Sequence, residues 1–155
     1  MALIRKANEF DVDRIWEIRT QAILKECASH YSKKIVDSWG NSPMPNDFGN
    51  ILFSLGAIVL EEKEHIVGFG FVDTKNHSLE SIFVDPEFIG RGFGKQIANE
   101  LISIAKKSGL YSLKLSSSLN AIKFYESIGF IAGKETFWKH PSGFDLACIP
   151  MKKVI

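Results

Sequence analysis

The chain has 155 residues, 45% hydrophobic and 24% charged, with a formal net charge of +1. That length suits one domain, residues 1–155, with a substantial core. The near-neutral charge argues against broad electrostatic binding to nucleic acid or to anionic membranes. No apolar run approaches the roughly 20 residues that span a bilayer, and MALIRKANEF lacks the basic-then-apolar order of a secretory signal. Cys27 and Cys148 are too few and too far apart for a disulfide framework or a zinc site. The four histidines (His30, His65, His77 and His140) have no ligand-like spacing, so no metal is expected. A reducing cytoplasm is the default compartment, with a monomer or a homodimer both open.

In chain order, LIRKA at Leu3 to Ala7 reads as a first strand. Asp11 then opens a helical pattern in which Ile15, Ile18, Ala22 and Ile23 recur. A second helix is expected over Ser32 to Trp39, with Ser32 as its N-cap. Asn41 to Asp47, NSPMPND, is a loop because its prolines cannot donate to a ladder or a helix interior. Three strand-like runs follow, Ala57 to Leu60, Ile66 to Asp73 and Leu79 to Val84, separated by the polar turns EEKEH and TKNHS. Ile97, Leu101, Ile104 and Ala105 then mark one face of a helix over 95–107, which Gly109 ends. The strand YSLKLS precedes a helix carrying Ala121, Phe124, Tyr125 and Ile128, closed by Gly129. Two last strands fit Phe130 to Phe137 and Phe144 to Met151.

The expected fold is therefore α/β: a mixed sheet of about seven strands with helices on both faces. Leu79 to Leu113 forms a strand–helix–strand crossover, so its two strands should be parallel.

Between the fourth strand and the 95–107 helix lies FIGRGFG, Phe88 to Gly94, with glycines at 90, 92 and 94. A helix N-terminus exposes about four unpaired N–H groups and the positive end of the macrodipole. Glycines leading into it let those donors approach an anion without Cβ interference. Arg91 and Lys95 add positive charge. A tight β-to-α connection would use the same glycines. The segment is not a P-loop, because Gln96 follows Lys95. Nor is it a dinucleotide fingerprint, since it reads G-x-G-x-G after a fourth strand.

IFVDPEFIGRGFGKQIANEL resembles the acyl-CoA pyrophosphate loop of the GNAT acyltransferase superfamily, in which a strand ending V-D-P precedes Q/R-x-x-G-x-G/A and a long helix. One departure is Ile89, where the family usually has Gln or Arg. SLNAIKFYESIGF, Ser118 to Phe130, resembles the family block N-x-x-A/S-x-x-x-Y-x-x-x-GF with a different residue at the small position. HYSKKIVDSW is similar to a Tyr-to-Trp segment of one small bacterial branch, which would bring Tyr31 and Trp39 near an acceptor pocket. Two aromatics anchoring a helix pair are the plainer explanation.

The resemblance implies a GNAT-like fold and an acetyl-CoA-dependent N-acetyltransferase acting on a primary amine, small molecule or peptide, by direct attack in a ternary complex. It implies a cofactor site at Ile82, Phe83, Val84, Ile89, Gly90, Arg91, Gly92, Phe93, Gly94, Lys95, Asn120 and Tyr125. Asn120 would bond near the pantetheine arm, and Tyr125 would sit beside the thioester sulfur, where a phenol can protonate a departing thiolate. Without the family block, Asn120 reads as a helix cap and Tyr125 as a core aromatic. Glu80, four residues before Val84 and on the same face by strand alternation, is the candidate base; a solvated strand carboxylate is the plainer alternative. His77 and His140, in the turns TKNHS and KHPSG, read as exposed. An acyl-CoA-binding sensor without turnover is the alternative function.

Overall fold

HIVGFGFVD at His65–Asp73 is nearly continuous in apolar residues and glycine, the pattern of a strand covered on both faces. It becomes β3, the buried centre of the N-terminal half of the sheet. The computed structural model describes residues 2–155. The other strands are β1 (Ala2–Lys6), β2 (Ile58–Glu62), β4 (Ser78–Val84), β5 (Ser112–Ser117), β6 (Ile131–Ala132), β7 (Thr136–Lys139) and β8 (Asp145–Val154). The spatial order is β1-β2-β3-β4-β5-β8-β6, with β7 also pairing on β8. The eight strands exceed the expected seven because the single strand expected over Phe130 to Phe137 is two pieces, β6 and β7. The break falls at Gly133, whose N–H turns inward to the Pro150 carbonyl at 2.7 Å.

Five helices complete the fold: α1 (Val12–Glu26), α2 (Lys33–Gly40), α3 (Phe48–Ser54), α4 (Phe93–Lys107) and α5 (Ile122–Ser127). Ser32 caps α2 as its sequence indicates, accepting from the Ile35 N–H at 3.2 Å. α3 is a helix the sequence pattern did not indicate. It is seven residues long, contains Gly49 and has no side-chain cap.

The helices cover the two faces differently. Ile97, Leu101 and Ala105 of α4 are fully buried with Leu60, Val67 and Leu113, and α5 joins this core through Tyr125. Gly70 is required here. A Cβ on it would lie 2.8 Å from Ile97 Cγ2 and 2.9 Å from both Leu101 Cδ1 and the Ser81 carbonyl oxygen. On the opposite face Ile15 and Ile18 of α1 and Leu52 of α3 pack on Phe69 and Phe71. A smaller cluster joins Ile23 and Cys27 to Val36 of α2.

β4 and β5 run parallel, as the crossover requires, but share one register pair, Ser78 with Lys114. Beyond it they diverge, while β4 stays zipped to β3 as far as Val84 and β5 to β8 as far as Ser117. A β-bulge accompanies the divergence: Phe71 pairs with Ser81 and Val72 with Leu79, so Glu80 has no partner. Bulges bend a strand and increase its twist. The bulge also corrects the placement of Glu80 by alternation. Leu79 and Val84, five residues apart, both enter the α4-side core, which strict alternation forbids.

Charged groups tie the N-terminal edge together. Arg5 of β1 holds buried Asp11 by two bonds of 2.7 and 3.0 Å and Glu61 of β2 by another of 2.8 Å. Asp11 also accepts from the Asn8 N–H at 2.8 Å. The Arg5 bonds and the Asn8 N–H hold the Asp11 carboxyl below the usual range against its partial burial. A carboxyl with a lowered folded pKa stabilises fully above its unfolded pKa, about 3.9, and loses that contribution as pH falls through the folded value. Asp11→Asn should therefore cost about 1–2 kcal/mol at pH 7. Thermal melts across pH should show the gap between the two proteins closing in acid below about pH 4. A gap independent of pH would show that the charge of Asp11 is not what stabilises.

Candidate active site

The divergence of β4 and β5 opens a cleft of about 940 Å³. Its walls are drawn from both faces of the sheet. α4 and α5 supply one side, and α1, α2 and the β7–β8 hairpin the other.

At the head of α4 the glycine spacing has a backbone cause. Gly90 and Gly92 lie at φ +85° and +78°, a region where L-residues are strained, and a Cβ on either would meet nothing within 4 Å. Gly92 is the N-cap and supplies no side-chain acceptor, so the first N–H groups of the 15-residue helix face outward without a cap. Gly94 is different: a Cβ there would press on Phe124 Cε1 at 3.2 Å, so its smallness seats α5 against α4. Ile89, Gly90, Gly92, Phe93, Gly94 and Lys95 all line the cleft, with the Lys95 ammonium exposed in the first turn. Arg91 does not. It turns to Glu62, 3.3 Å away, and stacks on Phe88. A positive helix end, open glycines and one lysine fit a pyrophosphate, so the chain has the groups that acetyl-CoA would require there.

Ile82, Phe83 and Val84 of β4 line the cleft, on the strand edge that β5 leaves unpaired. Glu80 lines it too, from the bulge, with an exposed side chain. Partial desolvation against the cleft raises its pKa, opposed by a hydrogen bond from Ser78.

Tyr125 is 8% exposed, edge-on to Phe124 and Phe130 at 5.2 and 5.8 Å. Burial pushes its pKa up, so the phenol is protonated at neutral pH. Among the described residues no fully buried side-chain polar atom lacks a partner. The Tyr125 hydroxyl, which makes no protein hydrogen bond, therefore keeps contact with the cleft that its residue lines.

Asn120 sits in the turn before α5, not on it. The N-cap position belongs to Ala121, which excludes the helix-cap reading. Its Oδ1 instead accepts from the Cys27 thiol at 3.3 Å. The family block also needs re-registering. Seven residues before Tyr125 stands Ser118, and the small position is Ala121; Asn120 is two residues late. Ser118, Asn120 and Ala121 all line the cleft.

Tyr31 and Trp39 meet edge-to-face at 5.5 Å, and Trp39 reaches the cleft wall. His140, read as an exposed turn histidine, is partly buried, stacked on Phe144 at 4.5 Å and part of the cleft. Its Nδ1 accepts from the Ser142 N–H at 3.0 Å. His77 stays at the head of β4, where its carbonyl accepts from Lys114 N–H. The sequence pattern missed Trp16, Arg19 and Trp138; the only signal was that tryptophan is rare here, three in all. No group of three or more potential metal ligands occurs among the described residues, and no helix there is long and apolar enough to cross a membrane.

Known proteins resemble the chain in sequence and in fold. The chain is 29% identical over 149 residues to a [ribosomal protein bS18]-alanine N-acetyltransferase of Haemophilus influenzae, covering 92% of each. It is 39% identical over 54 residues to a glucosamine 6-phosphate N-acetyltransferase of Trypanosoma brucei brucei, 35% of this chain and 37% of that protein. A GCN5-related N-acetyltransferase of Rhodopseudomonas palustris superposes with a TM-score of 0.93 at 20% identity, over 100% of this chain and 96% of the other. The PaiA N-acetyltransferase of Thermoplasma acidophilum, solved with coenzyme A, gives 0.76 at 19% identity over 100% and 99%. With the acetyltransferase (GNAT) domain profile matching residues 27–155, the chain belongs to the GNAT family of acetyl-CoA-dependent N-acyltransferases.

Proposed function

We propose that residues 1–155 form one acyltransferase domain in which the α4 head grips the acetyl-CoA pyrophosphate, Tyr125 is the general acid and Glu80 assists the general base. The carrying observation is that one cleft holds an uncapped, glycine-led helix N-terminus and a buried phenol whose hydroxyl has no protein partner. Acetyl-CoA supplies a thioester: the amine nitrogen bonds to its carbonyl carbon, the C–S bond breaks, the amine sheds a proton and the thiolate gains one. Phe93–Lys95 backbone N–H groups and the Lys95 ammonium face the phosphates, a role that does not need a Gln or Arg at Ile89. Arg91, engaged with Glu62, contributes only at long range. Ser118 and Asn120 present polar groups to the pantetheine arm. Two free cysteines suit a reducing cytoplasm, where the enzyme acts as a monomer or homodimer.

Gly92→Asp places a carboxylate where the phosphates bind, and Gly92→Asn supplies the same bulk and backbone demand without charge. Calorimetry should show acetyl-CoA affinity falling by at least tenfold more in the Asp variant. Equal affinities in folded proteins would move the phosphate site elsewhere.

Because the Glu80 carboxyl is raised, activity should fall on the acid side above the ordinary glutamate range, near 4.3. Glu80→Gln should remove or shift that limb of the kcat/KM profile. An unchanged profile and rate would make Glu80 a solvated strand carboxylate.

Tyr125→Phe keeps the ring and both edge-to-face contacts, so folding should change little. General acid catalysis contributes about 10²–10⁴-fold, so kcat should drop by that amount with acetyl-CoA affinity nearly constant. A loss under about threefold with chemistry rate-limiting would leave Tyr125 a packing residue. Tight acetyl-CoA binding with no transfer to any amine would favour a sensor.

A further inference from the structure

The four arginines of the chain divide unequally. Arg5, Arg14 and Arg91 each meet a carboxylate, and their side chains are 30, 30 and 52% exposed. Arg19 is 8% exposed and has no carboxylate within ion-pair distance among the described residues. Its nitrogens donate to the Trp39 and Gly40 carbonyls at 2.8 and 3.1 Å and to Ser42 Oγ at 3.0 Å, with a long contact to Thr20 Oγ1 at 3.4 Å. The first two acceptors close α2, so the helix dipole offsets part of the charge. A full countercharge is missing. Burial alone pushes the guanidinium pKa down to about 10, so it is still a cation at neutral pH. An ion removed from water without a partner is costly unless something supplies one.

Arg19 lines the acetyl-transfer cleft, and its guanidinium lies 4.2 Å over the Trp16 ring. All three tryptophans of the chain, Trp16, Trp39 and Trp138, line that same cleft. His140 is close enough to Arg19 for the two charges to oppose one another. Its Nδ1 is occupied as an acceptor from Ser142, so the neutral ring carries its proton on Nε2 and offers a donor. The acids lining the cleft are Glu26 and Glu80. The side of the cleft built by α1, α2 and the β7–β8 hairpin thus presents flat apolar rings, a cation without a counterion and a neutral donor.

A simple ammonium or a polyamine would meet an uncompensated like charge there. We infer that the acceptor is a primary amine with a flat, apolar body that carries an oxyanion, of the aromatic amino acid class, its anionic group paired with Arg19 and its ring between the indoles. This rests on the acetyl-transfer function proposed above. Both terminal nitrogens of Arg19 already donate within the protein, which leaves Nε–H for the ligand, and a carboxylate or a phosphonate can accept that single charge-assisted bond alike.

The test starts from the wild-type protein and adds two variants of Arg19. Thiol release by the wild-type protein with acetyl-CoA is compared for tryptophan, tryptophanamide, tryptamine and the aminophosphonic analogue of tryptophan. Charge-assisted recognition predicts kcat/KM for tryptophan about 10- to 100-fold above the amide and the amine. Retention of the phosphonic analogue would mean any oxyanion serves, and its rejection would restrict the site to carboxylates. Arg19→Met should reduce the preference below about threefold, and Arg19→Lys should keep part of it. Equal turnover of tryptophan and tryptamine, or a preference for amines without an anion, overturns the assignment of Arg19 but leaves acyl transfer intact. Bound acetyl-CoA with no transfer to these or to a wider amine panel overturns acyl transfer, and this inference with it.

Discussion

A parallel pair held by one register match, Ser78 with Lys114, leaves most of the facing edges of β4 and β5 without partners. Backbone N–H and C=O groups cannot be buried unpaired, so the gap must stay open to water or be filled by a ligand that bonds to it. The residues that line the cleft are placed by that constraint. The bulge at Glu80 bends β4 away, and the turn after Val84 brings the α4 head to the lip of the gap. α5, following β5, carries Tyr125 to the other lip. The cleft is the consequence of unsatisfied hydrogen bonding in the middle of an otherwise continuous sheet.

The fold was legible where burial imposes a period. The α4 stripe of Ile97, Leu101 and Ala105 and the apolar run of β3 describe surfaces that must be covered. The glycine segment was legible because positive φ at Gly90 and Gly92 restricts residue choice. α3 was not, since seven residues with a glycine and no cap carry little local preference. The face of Glu80 was misjudged because a bulge is a two-strand property, decided by how Phe71 and Val72 meet β4. Asn120 shows the limit of a motif: its thiol partner, Cys27, is 93 residues away. Arg19 and His140 were invisible for the same reason. Burial of an arginine depends on the end of another helix, and the role of a turn histidine depends on which nitrogen a neighbouring N–H has taken.

The two walls of the cleft are stabilised by different forces. The α4 wall rests on an apolar core with the helix seated directly on Gly68 and Gly70. The α1–α2 wall has fewer buried apolar residues and is positioned by charge. Arg14 of α1 reaches Asp85 at 2.7 Å and the Ile66 carbonyl at 3.0 Å, fixing α1 against the start of the glycine turn. Arg19, about one and a half turns further along, fixes the end of α2. The α1–α2 wall is therefore built from directional bonds that specify position, and the α4 wall from packing.

Polar bonds also bridge the walls. The Tyr31 hydroxyl donates to the Ala147 carbonyl at 2.6 Å and accepts from the Leu119 N–H at 2.9 Å, linking the α1–α2 connection to β8 and to the turn before α5. Burial pushes its pKa up to about 12, so the hydroxyl is a donor across the physiological range. The Cys27 thiol makes a parallel link to Asn120, and its pKa is likewise pushed up to about 12. Hydrogen bonds of this kind exchange with water at a net cost of only about 1 kcal/mol each, unlike the packing beneath α4. The width of the cleft is thus set by its weakest contacts, and those contacts meet at Asn120 and Leu119, the turn that delivers Tyr125. A change in how the α1–α2 wall sits is transmitted to the phenol by hydrogen bonds rather than by the core.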